Sequence, residues 1–264
     1  MVENKFDEVY DDKIYLDLKE NYFSYLCRKK AFRKEIKKIL PDKNDLIIDV
    51  GCGITPIIDI SKTSIFLDAS AKAVAFLKKR GAHAITSDIT HMNIKDKSIE
   101  VCICSETLEH VCDDALALKE IYRILKPNGT LILSVPLHKY YHAFDDDAVG
   151  HFRRYNPKEL IALLKKSNFS NIYYRKIGNP IERIMEIAIV FLFTLRNKKS
   201  TNKKASDPKY VGVIYSAFKI INWLLFCIVY YTSKITPLFL TSVLLVVAKK
   251  SSSSRPHEDK QKAL

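Results

Sequence analysis

The sequence has no Cys-x-x-Cys pair and no other cysteine spacing typical of a zinc site. Four of its six cysteines fall in stretches predicted below to be buried, so we expect reduced thiols in a cytoplasmic protein. Internal repeats are absent as well. The first eight residues are acidic and polar, which is not typical of a secretory signal. These absences favour an ordinary intracellular globular fold over a disulfide-rich or zinc-stabilised one.

Negative charge is in short supply, because the formal net charge is +13 over 264 residues. Such a balance suggests either nucleic acid or an anionic membrane surface as a partner. Aromatic residues are only weakly interleaved with the basic ones, so we expect no nucleic-acid partner. One basic cluster lies within 28–38 and another within 196–209. A lysine-rich solvated surface explains the charge equally well, so peripheral contact with an anionic membrane stays one of two interpretations.

Short apolar runs alternate with amphipathic stretches through the middle of the chain. This alternation predicts βαβ units and a mainly parallel sheet. The predicted strands are 46–50, 64–67, 84–86, 99–104, 130–135, 171–177 and 242–248, and the predicted helices are 71–80, 114–125 and 157–168.

Three segments stand outside this alternation and define the predicted domain organisation. Residues 1–40 form an N-terminal helical segment, with its helix predicted over 13–40. Residues 178–235 are an apolar helical insertion before the last strand, and 251–264 are a serine-rich, charged tail predicted to be disordered. The remaining two stretches, 41–177 and 236–250, form the main domain.

A glycine loop follows the first strand, in Asp49-Val50-Gly51-Cys52-Gly53. The glycines permit a tight turn and a close approach of ligand to backbone, at the sheet edge where open α/β folds bind ligands. Pro56 stands where a dinucleotide dehydrogenase would have a third glycine. Asp49 would repel a diphosphate, but it suits a cationic ligand such as S-adenosylmethionine (SAM), which carries a sulfonium and an ammonium.

Two more carboxylates follow the next two predicted strands. Asp68 lies where a carboxylate can accept both ribose hydroxyls of a nucleoside. Asp88 can accept from the adenine amino group while Ile89 packs on the ring. A single aspartate at a strand end is as readily a turn or a helix cap. Three at successive strand ends favour SAM over a nicotinamide dinucleotide.

Five motifs now stand in order: 49–53, Leu67-Asp68-Ala69-Ser70, Ser87-Asp88-Ile89, Ser105-Glu106-Thr107-Leu108-Glu109-His110-Val111, and 120–129. With them the chain resembles the class I SAM-dependent methyltransferases, especially the type 11 family, over roughly 40–177 and 242–249. The resemblance implies an α/β, Rossmann-like sheet of seven mainly parallel strands whose last strand is antiparallel. It also implies SAM contacts at Asp49, Gly51, Cys52, Gly53, Asp68, Ala69, Asp88, Ile89 and Ser105.

The sequence departs from the family pattern in two places. Only 54–63 separate Gly53 from the second strand, so the first helix after the loop is expected to be very short. The usual Pro-Gly-Gly turn reads Pro127-Asn128-Gly129, and because asparagine tolerates left-handed backbone, we expect this turn to survive.

Two segments offer residues for the methyl acceptor. In Gly150-His151-Phe152-Arg153-Arg154, His151 can act as a base and either arginine can hold an anionic group. The preceding loop, 136–149, can be a substrate lid, or the whole block can simply pin this loop by hydrogen bonds. His110 is the second candidate base.

The segment containing His110 also carries a metal hypothesis. Some quinone and small-RNA methyltransferases resembling this chain hold a divalent metal with a Glu-x-x-Glu-His segment. Here that segment would supply Glu106, Glu109 and His110. Other relatives have the same residues without metal, so we predict no metal and keep this set as an alternative.

The insertion at 178–235 contains two apolar stretches, 181–195 and 210–232. They can form a cap or dimer interface, bind a membrane surface, or, for the second stretch alone, approach a membrane span. We therefore predict a cytoplasmic SAM-dependent methyltransferase with a small-molecule or lipid-like acceptor, peripheral to the membrane in one interpretation. The alternative is a non-catalytic SAM-fold module that binds a partner at the membrane.

Overall fold

The computed structural model describes residues 19–40, 45–188 and 208–251. The predicted disordered tail and most of the basic linker at 196–209 lie outside these ranges, as does the first part of the helix predicted over 13–40. Within the described part, residues 19–20 are helical and helix α1 runs over Phe23–Ile39. The two helical pieces are separated at residues 21–22.

Seven strands form one sheet in the order β3-β2-β1-β4-β5-β7-β6. Neighbouring strands from β3 through β2, β1 and β4 to β5 pair in parallel. Strand β7 is antiparallel to both of its neighbours, β5 and β6. The predicted sheet with an antiparallel last strand is therefore confirmed. The strands are β1 Ile47–Val50, β2 Ser64–Asp68, β3 His83–Thr86, β4 Ile99–Ser105, β5 Leu125–Pro136, β6 Phe169–Lys176 and β7 Val243–Lys250.

Side-chain capping fixes where several helices begin. The side chains of Ser70, Asp113 and Asn156 each accept from a backbone amide in the first turn of the helix that follows. Pro157 opens its helix, where a missing amide hydrogen costs nothing. The helices after α1 are α2 Ala71–Lys79, α3 Asp114–Ile124, α4 Phe144–Val149, α5 Pro157–Lys166, α6 over 180–188 and α7 Pro208–Thr232, with 3-10 turns at Leu108–His110, Lys139–Tyr141 and Leu238–Leu240.

The two faces of the sheet carry separate hydrophobic cores, because successive strand residues point to opposite sides. Val50, Cys102 and Leu131 lie in one core, which α3 and α5 cover. Ile47, Val101 and Ile132 lie in the other, which α1 and α2 cover. All six cysteines are in the described part of the chain; they are free thiols, and four of them are buried as expected.

Helices α6 and α7 stand between β6 and β7 in sequence and pack beside α1. The amide of Phe23 donates to Asn222 Oδ1 at 3.1 Å, and Phe23, Cys27 and Val229 form a small separate core. These contacts attach α7 to α1. Among the residues that the structure describes, none of the helices combines the length and apolar character needed to cross a membrane.

Candidate active site

The turn after β1 brings backbone amides to the carboxyl edge of the sheet. Gly51 and Gly53 adopt φ of 68° and 54°, which glycine tolerates and other residues rarely do. The Gly51 amide donates to the Leu67 carbonyl oxygen at 2.7 Å. A Cβ atom added at Gly51 would lie 2.2 Å from Thr107 Cγ2, whereas one at Gly53 would meet nothing within 4 Å. Position 51 therefore needs glycine for two reasons, the positive φ of its backbone and the closeness of the Thr107 side chain.

Asp68 links this glycine loop to the end of β2. Its Oδ2 accepts from the Gly53 amide at 2.7 Å, and its Oδ1 accepts from the Ser70 amide at 2.8 Å. The side chain is largely buried, and Ala69 beside it is exposed. The carboxylate thus lies between the glycine loop and the start of α2.

Asp49 lies underneath the same loop. Only 1% of Asp49 is exposed, and its Oδ2 accepts from the Ile57 amide at 2.8 Å. Burial raises the pKa of this carboxyl to about 7, although the amides of Ile57 and Ile58 partly offset the effect. The whole of 51–63 is described and forms turns rather than the short helix expected there. Asp49 holds this non-helical segment against β1.

The other predicted cofactor residues lie at the ends of β1, β3 and β4 or just after them. Asp88 is exposed and accepts from both the amide and the hydroxyl of Thr90, and these hydrogen bonds lower its pKa. Ile89 and Cys52 are buried, and Ser105 Oγ lies 3.2 Å from Ser134 Oγ. Asp49 therefore lies near the end of β1, Asp68 ends β2, and Asp88 follows β3. This set of carboxylates and close backbone suits a cationic nucleoside such as SAM.

Glu106 begins the segment that follows β4 and contains Glu109 and His110. Its φ is 50°, a left-handed backbone conformation that residues other than glycine adopt mainly under structural constraint. Its Oε1 accepts from Ser134 Oγ at 3.0 Å, and its Oε2 lies 3.9 Å from Arg28 Nη1. Thr107 Oγ1 lies 3.3 Å from the Val50 carbonyl oxygen. The segment is thereby fixed against the cofactor loop.

The structure brings together the two predicted histidines. The rings of His110 and His151 meet edge to face, with centroids 4.6 Å apart. His110 Nδ1 lies 3.3 Å from the Gly150 carbonyl oxygen, and His151 Nδ1 lies 2.6 Å from Asp146 Oδ1. Because these partners are acceptors, each neutral imidazole carries its proton on Nδ1 and leaves Nε2 as an acceptor.

Glu109 completes this cluster. It is fully buried, and neither of its carboxyl oxygens has a hydrogen-bond partner among the described residues. Its Oε1 lies 3.9 Å from His151 Nε2. Burial raises the pKa of Glu109 well above its ordinary value, and the charge of Glu106 adds to the rise. Burial also lowers the pKa of His110, as does the neighbouring His151. These shifts favour the protonated form of Glu109 and the neutral form of His110.

Asp146 supports the cluster from below. Besides His151, it accepts from Arg154 Nε at 2.8 Å and from Arg183 Nη2 at 2.8 Å. Burial alone would raise the pKa of Asp146, but the hydrogen bonds from His151 and Arg154 hold it below its ordinary value. The block thus pins its own loop by hydrogen bonds, as one of the two interpretations expects, and the same contacts orient His151.

Arg153, the third predicted catalytic residue, points elsewhere. Its Nη1 lies 2.7 Å from Asp114 Oδ2, and its Nη2 donates to the Cys112 carbonyl oxygen at 2.7 Å. The guanidinium is committed to the start of α3. The cluster of His110, His151 and Glu109 forms without it.

A metal ion could be held by three residues of the cluster. Glu109, His110 and His151 each offer one ligand atom, all within 4.8 Å of one another. The set differs from the one proposed from the sequence, because His151 replaces Glu106. Two imidazole nitrogens and a carboxylate oxygen suit transition metals, and the unpartnered oxygens of Glu109 fit such a role.

A buried ionic network lies at the start of α6, and the sequence did not predict it. Glu182 accepts from Ser24 Oγ at 2.6 Å and from Ser242 Oγ at 2.7 Å, joining α6 to α1 and to the segment before β7. Arg183 is almost fully buried against Asp145 and Asp146. Burial and the charge of Glu182 raise the pKa of Glu186 to about 8. The available signal was a set of charges, Glu-Arg-x-x-Glu, within an otherwise apolar run.

The central part of the chain is similar to a known protein family. Residues 48–133 match the family model described as "Methyltransferase domain". The resemblance of this segment to the type 11, class I SAM-dependent methyltransferases is thereby confirmed. The match includes the glycine loop, all three aspartates and the segment from Glu106 to His110. Several of the relatives that match this chain are described as probable S-adenosylmethionine-dependent methyltransferases, in agreement with the expected cofactor.

Individual relatives agree with the family. The chain is 28% identical over 134 residues to a probable SAM-dependent methyltransferase of Mycolicibacterium smegmatis, covering 47% of this chain and 51% of that protein. It is 30% identical over 131 residues to the ubiquinone biosynthesis O-methyltransferase of Rickettsia conorii, covering 46% and 45%. The matched stretch spans about half the length of the curated relatives.

A solved structure extends the similarity in fold beyond the matched segment. A Thermotoga maritima protein, described as a SAM-dependent methyltransferase and possible histamine N-methyltransferase, superposes with a TM-score of 0.59 at 17% identity. The superposition covers 93% of this chain and 98% of that one. The methyltransferase fold therefore includes the strands outside residues 48–133.

Proposed function

We propose that this protein transfers the methyl group of SAM to a hydroxyl oxygen of a small-molecule or lipid-like acceptor. The observation that carries the proposal is the cluster beside the cofactor loop. In it, the buried Glu109 has no hydrogen-bond partner among the described residues and lies next to two imidazoles with acceptor Nε2 atoms. Such a cluster is suited to receive a polar group of a ligand.

The chemistry explains why an oxygen acceptor fits. When bound, SAM supplies an electrophilic methyl carbon on a positively charged sulfur. A hydroxyl oxygen attacks it well only as its proton leaves, so an oxygen acceptor needs a base. His151 and His110 offer Nε2 lone pairs, and the lowered pKa keeps His110 neutral at physiological pH. A hydroxyl at this cluster could also accept from the protonated Glu109, which would give that carboxyl a partner.

Orientation of the base falls to Asp146. Its short hydrogen bond to His151 Nδ1 fixes the ring and favours the Nδ1-protonated tautomer. The anchored aspartate also stabilises the imidazolium that forms when His151 takes a proton. Arg154 and Arg183 hold Asp146 in turn, so the base is attached to both the β5–α5 loop and α6.

The cofactor would be bound by the loop residues already described. In this proposal Asp68 receives the ribose hydroxyls, Asp88 and Ile89 contact the adenine, and the backbone of Gly51 and Gly53 approaches the amino-acid part.

A divalent cation is the alternative to a histidine base. Held by Glu109, His110 and His151, it would lower the pKa of a bound hydroxyl. The base mechanism needs no cation.

A methyl-transfer screen tests the proposal. Purified protein with isotope-labelled SAM is offered quinols, hydroxylated lipids and glycolipids, and both labelled product and S-adenosylhomocysteine are measured. We expect oxygen-methylated product from at least one hydroxyl class. If SAM binds but no acceptor yields S-adenosylhomocysteine, the chain is a non-catalytic binding module and the proposal fails.

A further inference from the structure

Helix α7 presents on its outer side a row of apolar side chains that stay exposed in the described part of the chain. Ile220, Ile221, Leu224 and Ile228 are 61%, 55%, 49% and 47% exposed. The opposite side of the helix packs on α1 through the buried Val229. A row of this kind is costly in water, and in soluble proteins it marks an interaction surface.

A basic groove of about 610 Å³ runs alongside this row, between α1 and α7. Lys30, Lys34 and Lys37 of α1 line one wall and are exposed, while Trp223 and Tyr230 of α7 line the other. The ammonium of Lys30 lies 4.2 Å from the centre of the Tyr230 ring. None of these three lysines has a carboxylate within ion-pairing distance among the described residues. Their charges therefore remain available to a partner.

The positive surface continues past this groove. A second groove of about 390 Å³ shares Lys34 and Tyr230 with the first and adds Lys176, Lys234 and Arg175, the last of which is paired with Glu35. No carboxylate is among the described residues that line either groove. The partner of this surface should thus carry several negative charges close to a large apolar region.

We propose that this surface, formed by the two grooves and the apolar row of α7, docks the protein on an anionic lipid bilayer. Lipid phosphates would occupy the grooves, and the apolar row would enter the boundary between headgroups and acyl chains. Trp223, 59% exposed at the edge between row and groove, has the position that aromatic residues favour at such a boundary. A nucleic acid would match the lysines but would leave Ile220, Ile221 and Leu224 in water. The proposal is independent of which acceptor is methylated.

The chain contains one tryptophan, so its fluorescence reports on this surface alone. The test mixes the full-length protein with vesicles of phosphatidylcholine, with and without phosphatidylglycerol. We expect a blue shift of Trp223 emission only with the anionic vesicles, quenching by lipids that carry a bromine or nitroxide on the acyl chain, and loss of binding as salt is raised.

Charge-matched variants make the test specific. Replacing Lys30, Lys34 and Lys37 with glutamine should weaken vesicle binding on the order of a hundredfold, since each surface lysine contributes about fivefold. The control replaces Lys158, Lys165 and Lys166 of α5, on the opposite face of the sheet, and should change binding less than about threefold. Both variants should bind SAM as the unchanged protein does, which shows that they fold.

Four results would overturn the proposal. The first is unshifted Trp223 emission with anionic vesicles. The second is equal loss of binding in the two lysine variants. The third is a blue shift that needs no vesicles and follows protein concentration, with dimers seen by light scattering, because a second copy would then occupy the row. A shift produced by RNA but not by vesicles would overturn it equally.

Discussion

His151 Nδ1 lies 2.6 Å from Asp146 Oδ1, and the same oxygen accepts from Arg154 Nε at 2.8 Å. Asp146 therefore connects a candidate base to a buried arginine of its own loop and, through its second oxygen, to Arg183 of α6. One carboxylate thus supports both the chemistry and the packing of this region, and its removal should affect both.

Asp146→Asn should lower stability and activity together. The change leaves Arg154 and Arg183 buried without their full charge partner, so we expect a loss of about 3–5 kcal/mol in the free energy of unfolding. Denaturant titration measures it. Asp147→Asn is the matched control, because Asp147 is largely exposed and lies 3.6 Å from His142 Nε2. It should cost less than about 1 kcal/mol. Equal losses in the two variants would contradict the network described for Asp146.

Gly51→Ala should be far more damaging than Gly53→Ala. Both positions have positive φ, so alanine costs about 1–2 kcal/mol at either. At Gly51 the new methyl would also collide with Thr107, which adds about 1–3 kcal/mol. We expect calorimetry to show no SAM binding by the first variant and measurable, weakened binding by the second. If Gly51→Ala bound SAM as well as Gly53→Ala, the close contact with Thr107 would be wrong.

SAM affinity should rise with pH and level off near pH 7. The Asp49 carboxyl has a pKa of about 7, above its ordinary 3.8, so it is protonated in mildly acidic solution. A cationic ligand favours the ionised form, and binding must release that proton below pH 7. We expect affinity to increase by up to about tenfold per pH unit there and to stay flat above. Asp49→Asn should bind more weakly and lack this dependence. A flat profile in the unchanged protein would show that Asp49 does not sense the ligand.

Chelation of metal ions distinguishes a role of the histidine cluster as a base from a role as a metal site. If His151 and His110 act as bases, dialysis against EDTA should leave both SAM binding and methyl transfer within about twofold of the untreated protein. Loss of transfer on chelation, with recovery on adding a divalent metal, would show that Glu109, His110 and His151 hold a cation.

The sheet and the places of three aspartates at its strand ends were predictable from the sequence because their signals are local. Short apolar runs locate the strands; Asp49 lies near the end of β1, Asp68 ends β2 and Asp88 follows β3. The left-handed turn at Asn128, φ 63°, was likewise expected from the residue type. These features depend on neighbouring residues, so a pattern of a few positions specifies them.

The contacts around Asp146 were not predictable in the same way. The sequence separates Asp146 from Arg183 by 37 positions, and no local pattern pairs them. Only the packing of α6 against the β5–α5 loop brings the two together. The same holds for Glu182, whose partners Ser24 and Ser242 lie at opposite ends of the chain. For the same reason, the metal hypothesis named Glu106 and not His151. A sequence motif pairs only residues that are close along the chain, and His151 is close to Glu109 and His110 only in space.

The most direct test of the proposed chemistry compares His151→Gln with Arg153→Gln at saturating SAM and a hydroxyl acceptor found in the screen. The rate of S-adenosylhomocysteine formation is measured beside the label in the product. We predict one S-adenosylhomocysteine per methylated oxygen. We also predict a rate lower by about 10²–10⁴ for His151→Gln with unchanged SAM affinity, and little change for Arg153→Gln. Equal rates in the unchanged protein and His151→Gln would contradict the account.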